Sequence, residues 1–330
     1  MSVADVAAAR SLIERSELSF EEGFDDLVGI HEAGELVAVG ARAGNVLKML
    51  TVESAHQGGP LLGEILTALV ARGMETGQQS FFIFTKVEYI TSFAALNFTL
   101  LASQGKAALL EYGRGLDKWL NSKRSLIRQG CNGAVVMNCN PFTRGHRYLV
   151  ENAARQVDNL YLFVVREDSS IFPFDVRLRL VHEGVCDLAN VFVLDTSHYC
   201  VSAATFPTYF LKKEDPVSQI QMELDVSLFA SQIAPFFDIG RRFVGTEPNC
   251  PLTQSYNLTM KRLLPLYGIE LTEIERQQTA KGVISASRVR QLLATGDLAQ
   301  LHDFVPDSTL AFLLSKGGES IRKQIESLAT

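Results

Sequence analysis

Met137-Asn-Cys-Asn-Pro-Phe-Thr-Arg-Gly-His-Arg-Tyr-Leu149 is the stretch whose reading decides the fold. It follows Gly133-Ala-Val-Val-Met137, a short continuous apolar run of the kind that forms a buried strand. Beyond it, Thr143 to Ala154 reads as a helix. The junction is therefore strand, loop, helix, with Thr143-x-Gly145-His146 where the helix opens. A helix N-terminus presents unpaired N–H groups and a partial positive charge, which suits a phosphate. Gly145 has no side chain to keep a nucleotide from the backbone, and Thr143 and His146 can aim hydrogen-bond donors at one phosphate. The plainer account is that Asn140 or Thr143 caps a helix and His146 is an ordinary surface residue. The position of the motif directly after the first strand of a βα series favours the phosphate site.

Outward from this junction the same alternation continues. Leu160-Tyr-Leu-Phe-Val-Val165, Val191-Phe-Val-Leu194 and Arg242-Phe-Val-Gly245 read as strands, with a helix over Asp175 to Glu183. Strands alternating with helices predict an α/β fold with a parallel sheet covered on both faces, and ligands beyond the carboxyl ends of its strands. Upstream, Leu36-Val-Ala-Val-Gly40 and Val46-Leu-Lys-Met-Leu50 read as neighbouring strands, Leu61 to Ala71 as a helix, and Phe81-Phe-Ile-Phe-Thr85 as a buried strand. A basic, polar stretch from Lys118 to Gln129 separates the two patterns. A chain of 330 residues accommodates two domains, placed at 1–125 and 130–330.

A second constellation lies near the C-terminus, in Gly282-Val-Ile-Ser-Ala-Ser-Arg-Val-Arg-Gln-Leu-Leu-Ala-Thr-Gly296. Ser285 is a good N-cap, Val289, Leu292 and Leu293 form an apolar stripe, and Gly296 stops the helix. Ser285, Ser287 and Arg290 then cluster at one helix N-terminus, where two hydroxyls and a guanidinium suit the β- and γ-phosphates and a leaving pyrophosphate. Alone this is a well-capped helix. Beside the first motif it is the other half of a triphosphate clamp.

Composition narrows the function classes. Hydrophobic residues make up 47% and charged residues 21%, as in an ordinary folded chain with a large core. The five cysteines are scattered with no C-x-x-C pair, which argues against a disulfide framework or a structural zinc site and predicts a reducing, cytoplasmic setting. The N-terminus lacks the basic-then-apolar order of a signal peptide, and no apolar run reaches the length of a membrane span. Net charge is −6 with no basic, aromatic-interleaved patch, so neither nucleic acid nor membrane is the expected partner.

The two motifs resemble those of the nucleotidyltransferase superfamily, (H/T)-x-G-H and I-S-x-[ST]-x-x-R. Longer blocks are similar to the citrate lyase ligase family: Asn138 to His146, Ser202-Ala-Ala-Thr-Phe-Pro-Thr-Tyr-Phe-Leu-Lys212, Gln221-Met-Glu-Leu-Asp225, Val244-Gly-Thr-Glu-Pro248 and, upstream, Phe81-Phe-Ile-Phe-Thr-Lys86. The resemblance implies an N-terminal GNAT-like mixed α/β domain and a C-terminal Rossmann-like nucleotidyltransferase domain. It implies an enzyme that uses ATP, with Mg²⁺, to convert acetate to acetyl adenylate. The acetyl group then passes to the thiol of the CoA-like prosthetic group on the acyl-carrier subunit of citrate lyase, with AMP and pyrophosphate released.

On that resemblance His146 and Thr143 are the catalytic residues, while Asn140, Gly145, Lys212, Gly245, Glu247, Ser285, Ser287 and Arg290 bind ATP, with no protein-held metal. Lys212 would reach a phosphate or the acetate carboxylate, and Gly245 and Glu247 the ribose or adenine. Asp225 reads equally as a structural carboxylate, and Cys139 as a small buried residue with no catalytic role. The upstream domain departs from its pattern at one loop. GNAT-type domains grip the CoA pyrophosphate with [RQ]-x-x-G-x-[GA], whereas here the loop is Gln57-Gly-Gly-Pro-Leu-Leu62, and Pro60 has no N–H to give. The domain is then expected to hold the prosthetic arm or dock the carrier. The alternative acceptor for the same fold is a phosphopantetheine-like compound or a mononucleotide.

Overall fold

The computed structural model describes residues 3–166, 170–200, 217–247, 251–279 and 282–329. In chain order its first elements are α1 (Val3–Arg15), β1 (Asp26–Glu32), β2 (Glu35–Ala43), β3 (Val46–Val52) and α2 (Leu61–Glu75). β4 (Phe81–Lys86), α3 (Ile90–Ala94), β5 (Thr99–Gln104), β6 (Ala107–Tyr112) and α4 (Gly115–Ser122) follow. Next come β7 (Asn132–Met137), α5 (Arg144–Ala154), β8 (Asn159–Val164), α6 (Phe174–Val185), β9 (Val191–Asp195) and α7 (Val217–Leu228). The rest is α8 (Ala234–Phe236), β10 (Ile239–Gly245), α9 (Pro251–Leu263), β11 (Glu270–Ile274), β12 (Gln278–Thr279), β13 (Gly282–Val283), α10 (Ala286–Ala294), α11 (Asp307–Leu314) and α12 (Lys316–Ala329).

Two units form, one from Met1–Ser122 with Ala203–Gln232, the other from Lys123–Ser202 with Ile233–Thr330. The first is built on a six-stranded mixed sheet in the order β1-β2-β3-β4-β6-β5, where only β3 and β4 run parallel. The strands predicted at Leu36–Gly40 and Val46–Leu50 fall within β2 and β3, which are neighbours as expected and pair antiparallel. The apolar stripe of α2 (Leu61, Ile65, Leu66, Leu69, Val70) closes over Leu47, Phe81, Ile83 and Leu110. α2 starts immediately after Pro60, which contributes neither an N–H nor a side-chain cap. α7, which lies in sequence between β9 and β10, packs on β5 and β6 of this first unit. Local periodicity predicts such a helix but not which sheet it covers.

The second unit is the predicted parallel sheet, in the order β11-β10-β7-β8-β9. β7 and β8 read as continuous apolar runs because both faces are covered, and their residues are almost all buried. Val150 and Ala153 of α5 and Leu180, Val181 and Val185 of α6 fill one face against Val135, Leu160, Leu162 and Val164. β11 has no counterpart in the sequence reading. Its residues, Glu-Leu-Thr-Glu-Ile, are largely polar because the strand lies at a sheet edge and stays accessible. The strand order reverses between β10 and β7, which puts the crevice of the sheet at the carboxyl end of β7, where the first motif lies.

Candidate active site

Thr143 is the N-cap of α5, as the plainer reading of the sequence has it, but His146 is no ordinary surface residue. The two side chains form a capping box. The Thr143 N–H donates to His146 Nδ1 at 3.0 Å, and the His146 N–H donates to Thr143 Oγ1 at 3.3 Å. Thr143 Oγ1 also lies 2.9 Å from Nδ1. A backbone N–H can only donate, so Nδ1 is the accepting nitrogen and a neutral imidazole carries its proton on Nε2. The ring stacks on Phe142, with centroids 5.8 Å apart and planes 15° from parallel. Phe142 occupies space left by Gly184 on α6, where a Cβ would come within 2.4 Å of its ring. A cap, a stacked ring and a glycine slot together aim one N–H donor.

Burial, with the positive field of Arg276 added, pushes the His146 imidazole down to about 4. It is therefore neutral at physiological pH, a hydrogen-bond donor and not a cation. Because the folded value lies below the usual 6.5, the native state's advantage is complete above pH 6.5 and is lost as pH falls toward 4. An NMR titration of the His146 ring should show a midpoint near 4; one near 6.5 would contradict this environment.

The two motifs meet at one point. A Cβ on Gly145 would lie 3.0 Å from the carbonyl oxygen of Ile284, so this glycine makes room for the backbone of the second motif. Two amides of the first turn already have partners within the protein, Arg144 donating to Phe304 O and His146 to Thr143 Oγ1. Ser285 caps α10 by accepting from the Arg288 N–H at 3.1 Å. Arg290 reaches back from α10 to donate to Asn140 O, and its other arm donates to Ser287 Oγ at 3.1 Å. Asn140, Thr143, Gly145, His146, Ser285, Ser287 and Arg290 thus belong to one edge of the sheet.

Gly245 and Glu247 stand at the carboxyl end of β10, with Arg276 just beyond β11. The Glu247 side chain is nearly sealed, 7% exposed, and is ion-paired with Arg276. Lys212, with the whole Ser202–Lys212 block, lies outside the described residues, as does Pro248. Asp225 is buried in α7 of the first unit. Cys139 is buried beside the motif, and that burial raises its thiol well above the ordinary range, which removes the thiolate from neutral pH.

Two arginines escape the sequence reading. Arg177 of α6 is 0% exposed and holds three stretches of chain together. It donates to Phe172 O at 2.9 Å, Val165 O at 2.7 Å, and both Asn138 O and Asn138 Oδ1 at 2.8 Å. Phe172 in turn donates its N–H to Asn140 Oδ1 at 3.1 Å, so Arg177 supports the loop that carries the first motif. A signal for it is present in sequence, since Arg177, Leu180, Val181 and Gly184 share the buried stripe of α6. Arg177→Met leaves several buried carbonyls unpaired and should cost about 3–5 kcal/mol of stability, read by urea denaturation. A loss within experimental error of zero would contradict the role given to it. For Arg276, the second, no local pattern marks the residue.

Comparison with known proteins identifies the family. Residues 132–313 match the family described as citrate lyase ligase C-terminal domain. The chain belongs to the citrate lyase ligase family. A relative from Klebsiella pneumoniae named citrate pro-3S-lyase ligase is 39% identical over 309 residues, covering 92% of this chain and 90% of its own. Its namesake from Escherichia coli (strain K12) is 38% identical over 316 residues, covering 93% and 90%. Among solved structures, Escherichia coli ElaA is similar at a TM-score of 0.29, with 11% identity, covering 34% of this chain and 92% of that one. The ligase-family match starts at the first residue of β7 and runs into α11, so it takes in both motifs and the strand ends between them.

Proposed function

We propose that this chain uses ATP to activate acetate and passes the acetyl group to the prosthetic-group thiol on the acyl-carrier subunit of citrate lyase. The observation that carries the reading is the joining of two phosphate-type motifs at the carboxyl end of β7, with Arg290 of one motif on the Asn140 carbonyl of the other. Relatives named citrate pro-3S-lyase ligase along nine-tenths of the chain supply the substrate class.

In the first step an acetate oxygen attacks the α-phosphorus of ATP. The bond from that phosphorus to the bridging oxygen breaks, and pyrophosphate leaves with the electron pair. In the second, the acceptor sulfur attacks the acetyl carbon, the thiol proton is released, and AMP departs with the electrons of the C–O bond. Neither step uses a protein nucleophile, so the chain contributes positioning and charge stabilisation. His146 Nε2–H donates to an α-phosphate oxygen, where negative charge grows as phosphorus becomes five-coordinate. Thr143 acts through His146 as a positioning residue, since its hydroxyl and N–H both face Nδ1. The Gly145 N–H, Ser285, Ser287 and Arg290 receive the phosphate chain, and Asn140 anchors that arginine. Gly245 and Glu247 border the ribose and adenine.

Mg²⁺ belongs to this reading as part of the ATP substrate, where it would offset phosphate charge. Among the described residues no group of three or more His, Cys, Asp or Glu side chains is placed to hold a metal ion. Nor is any described helix long and apolar enough to cross a membrane. A free acceptor thiol fits a reducing, cytoplasmic compartment.

Incubation with ATP, acetate and the deacetylated carrier tests the reading. Carrier acetylation with stoichiometric AMP supports it, and acetyl-CoA should not replace ATP plus acetate. A dinucleotide formed from a phosphopantetheine-type acceptor, with acetate inert, would overturn it.

A further inference from the structure

We propose that Arg276 binds the α-phosphate of ATP. This rests on the adenylation reading above and adds to it a residue that neither motif contains.

Arg276 sits just past the carboxyl end of β11, yet it is fastened to the end of β10. Its N–H donates to Thr246 Oγ1 at 3.2 Å, and its Nε donates to Thr246 O at 2.7 Å. Its Nη2 arm pairs with Glu247. β10 is the neighbour of β7, so this anchorage holds the guanidinium at the crevice of the sheet. The next residue closes the link to the motifs. Gln277 O accepts from the Ile284 N–H at 3.5 Å, and the Ile284 carbonyl is the group against which Gly145 packs.

Accessibility separates Arg276 from Arg177, which is sealed beneath the loops and 0% exposed. The Arg276 side chain is 29% exposed while that of its partner Glu247 is 7% exposed, so the carboxylate is sunk and the cation keeps an open edge. The chemistry asks for such a cation. His146 donates a hydrogen bond but brings no charge, whereas the five-coordinate phosphorus gains negative charge as acetate adds. The positive field of Arg276 reaches His146, the residue assigned to the same phosphate. Glu247 holds one arm of the guanidinium and leaves the open edge to the phosphate.

Binding of AMP and of adenosine, measured by calorimetry on the full chain, isolates the α-phosphate. Arg276→Met should weaken AMP by about tenfold or more, the loss of one charge-assisted contact, and leave adenosine within about twofold. Arg276→Lys, which keeps the charge, should retain most of the preference for AMP. Unchanged adenosine binding also shows that the variant is folded. Equal weakening of both ligands, or of neither, would overturn the assignment. A wild-type chain that binds neither ATP nor AMP would overturn the adenylation reading, and this inference with it, before any variant is made.

Discussion

His146→Ala is expected to lower ATP- and acetate-dependent turnover by about a thousandfold, the scale of removing one donor aimed at transition-state charge. The effect should fall on kcat and on kcat/KM alike, because the donor matters most where charge accumulates. Alanine also removes the Nδ1 acceptor of the capping box, so a loss of stability accompanies the kinetic one. Asparagine separates the two roles. Its side-chain oxygen stands near the place of Nδ1 and can accept from the Thr143 N–H, but nothing replaces Nε2. His146→Asn should therefore regain the small stability deficit, about 0.5–2 kcal/mol for a lost cap, without regaining activity. Glutamine, whose amide reaches toward the Nε2 position, should recover some rate at the expense of the cap. Activity in His146→Asn near that of the parent chain would remove His146 from the chemistry.

Arg290→Ala is the second large effect, and it should appear in a different parameter. The guanidinium spans Asn140 O and Ser287 Oγ, so its removal both deletes a phosphate ligand and unlinks the two motifs. Charge-assisted contacts of this kind are worth about 2–3 kcal/mol, so the KM for ATP should rise roughly 30- to 150-fold. The KM for acetate should change little, since acetate carries no triphosphate. Arg290→Lys keeps the charge but cannot span both partners, and should fall between the two. An unchanged ATP requirement in Arg290→Ala would break the clamp in which the second motif is placed.

The parts of this site that can be read in the sequence are those with local causes. An apolar run ending at Met137, a cap at Thr143 and a glycine at Gly145 mean little one by one. At a single strand–helix junction they are one signal. The second motif is legible for the same reason, because Ser285 and the stripe of Val289, Leu292 and Leu293 lie within one short capped helix.

What stays hidden depends on distant partners. Nothing near Gly145 in sequence says that it faces Ile284, and nothing near Arg276 says that Thr246 and Glu247 hold it. Thr143 reads as a donor to phosphate, whereas its polar atoms face His146, which only the folded cap reveals. β11 escapes a search for apolar runs because an edge strand need not be apolar, and the placement of α7 on the first unit's sheet depends on long-range packing.

Acetate-dependent exchange of labelled pyrophosphate into ATP, with magnesium and without carrier, isolates the adenylate step. That step is reversible and needs no thiol, so exchange should rise with acetate and be abolished in His146→Ala. Exchange absent with acetate but present with a phosphopantetheine-type acceptor would contradict acetate activation.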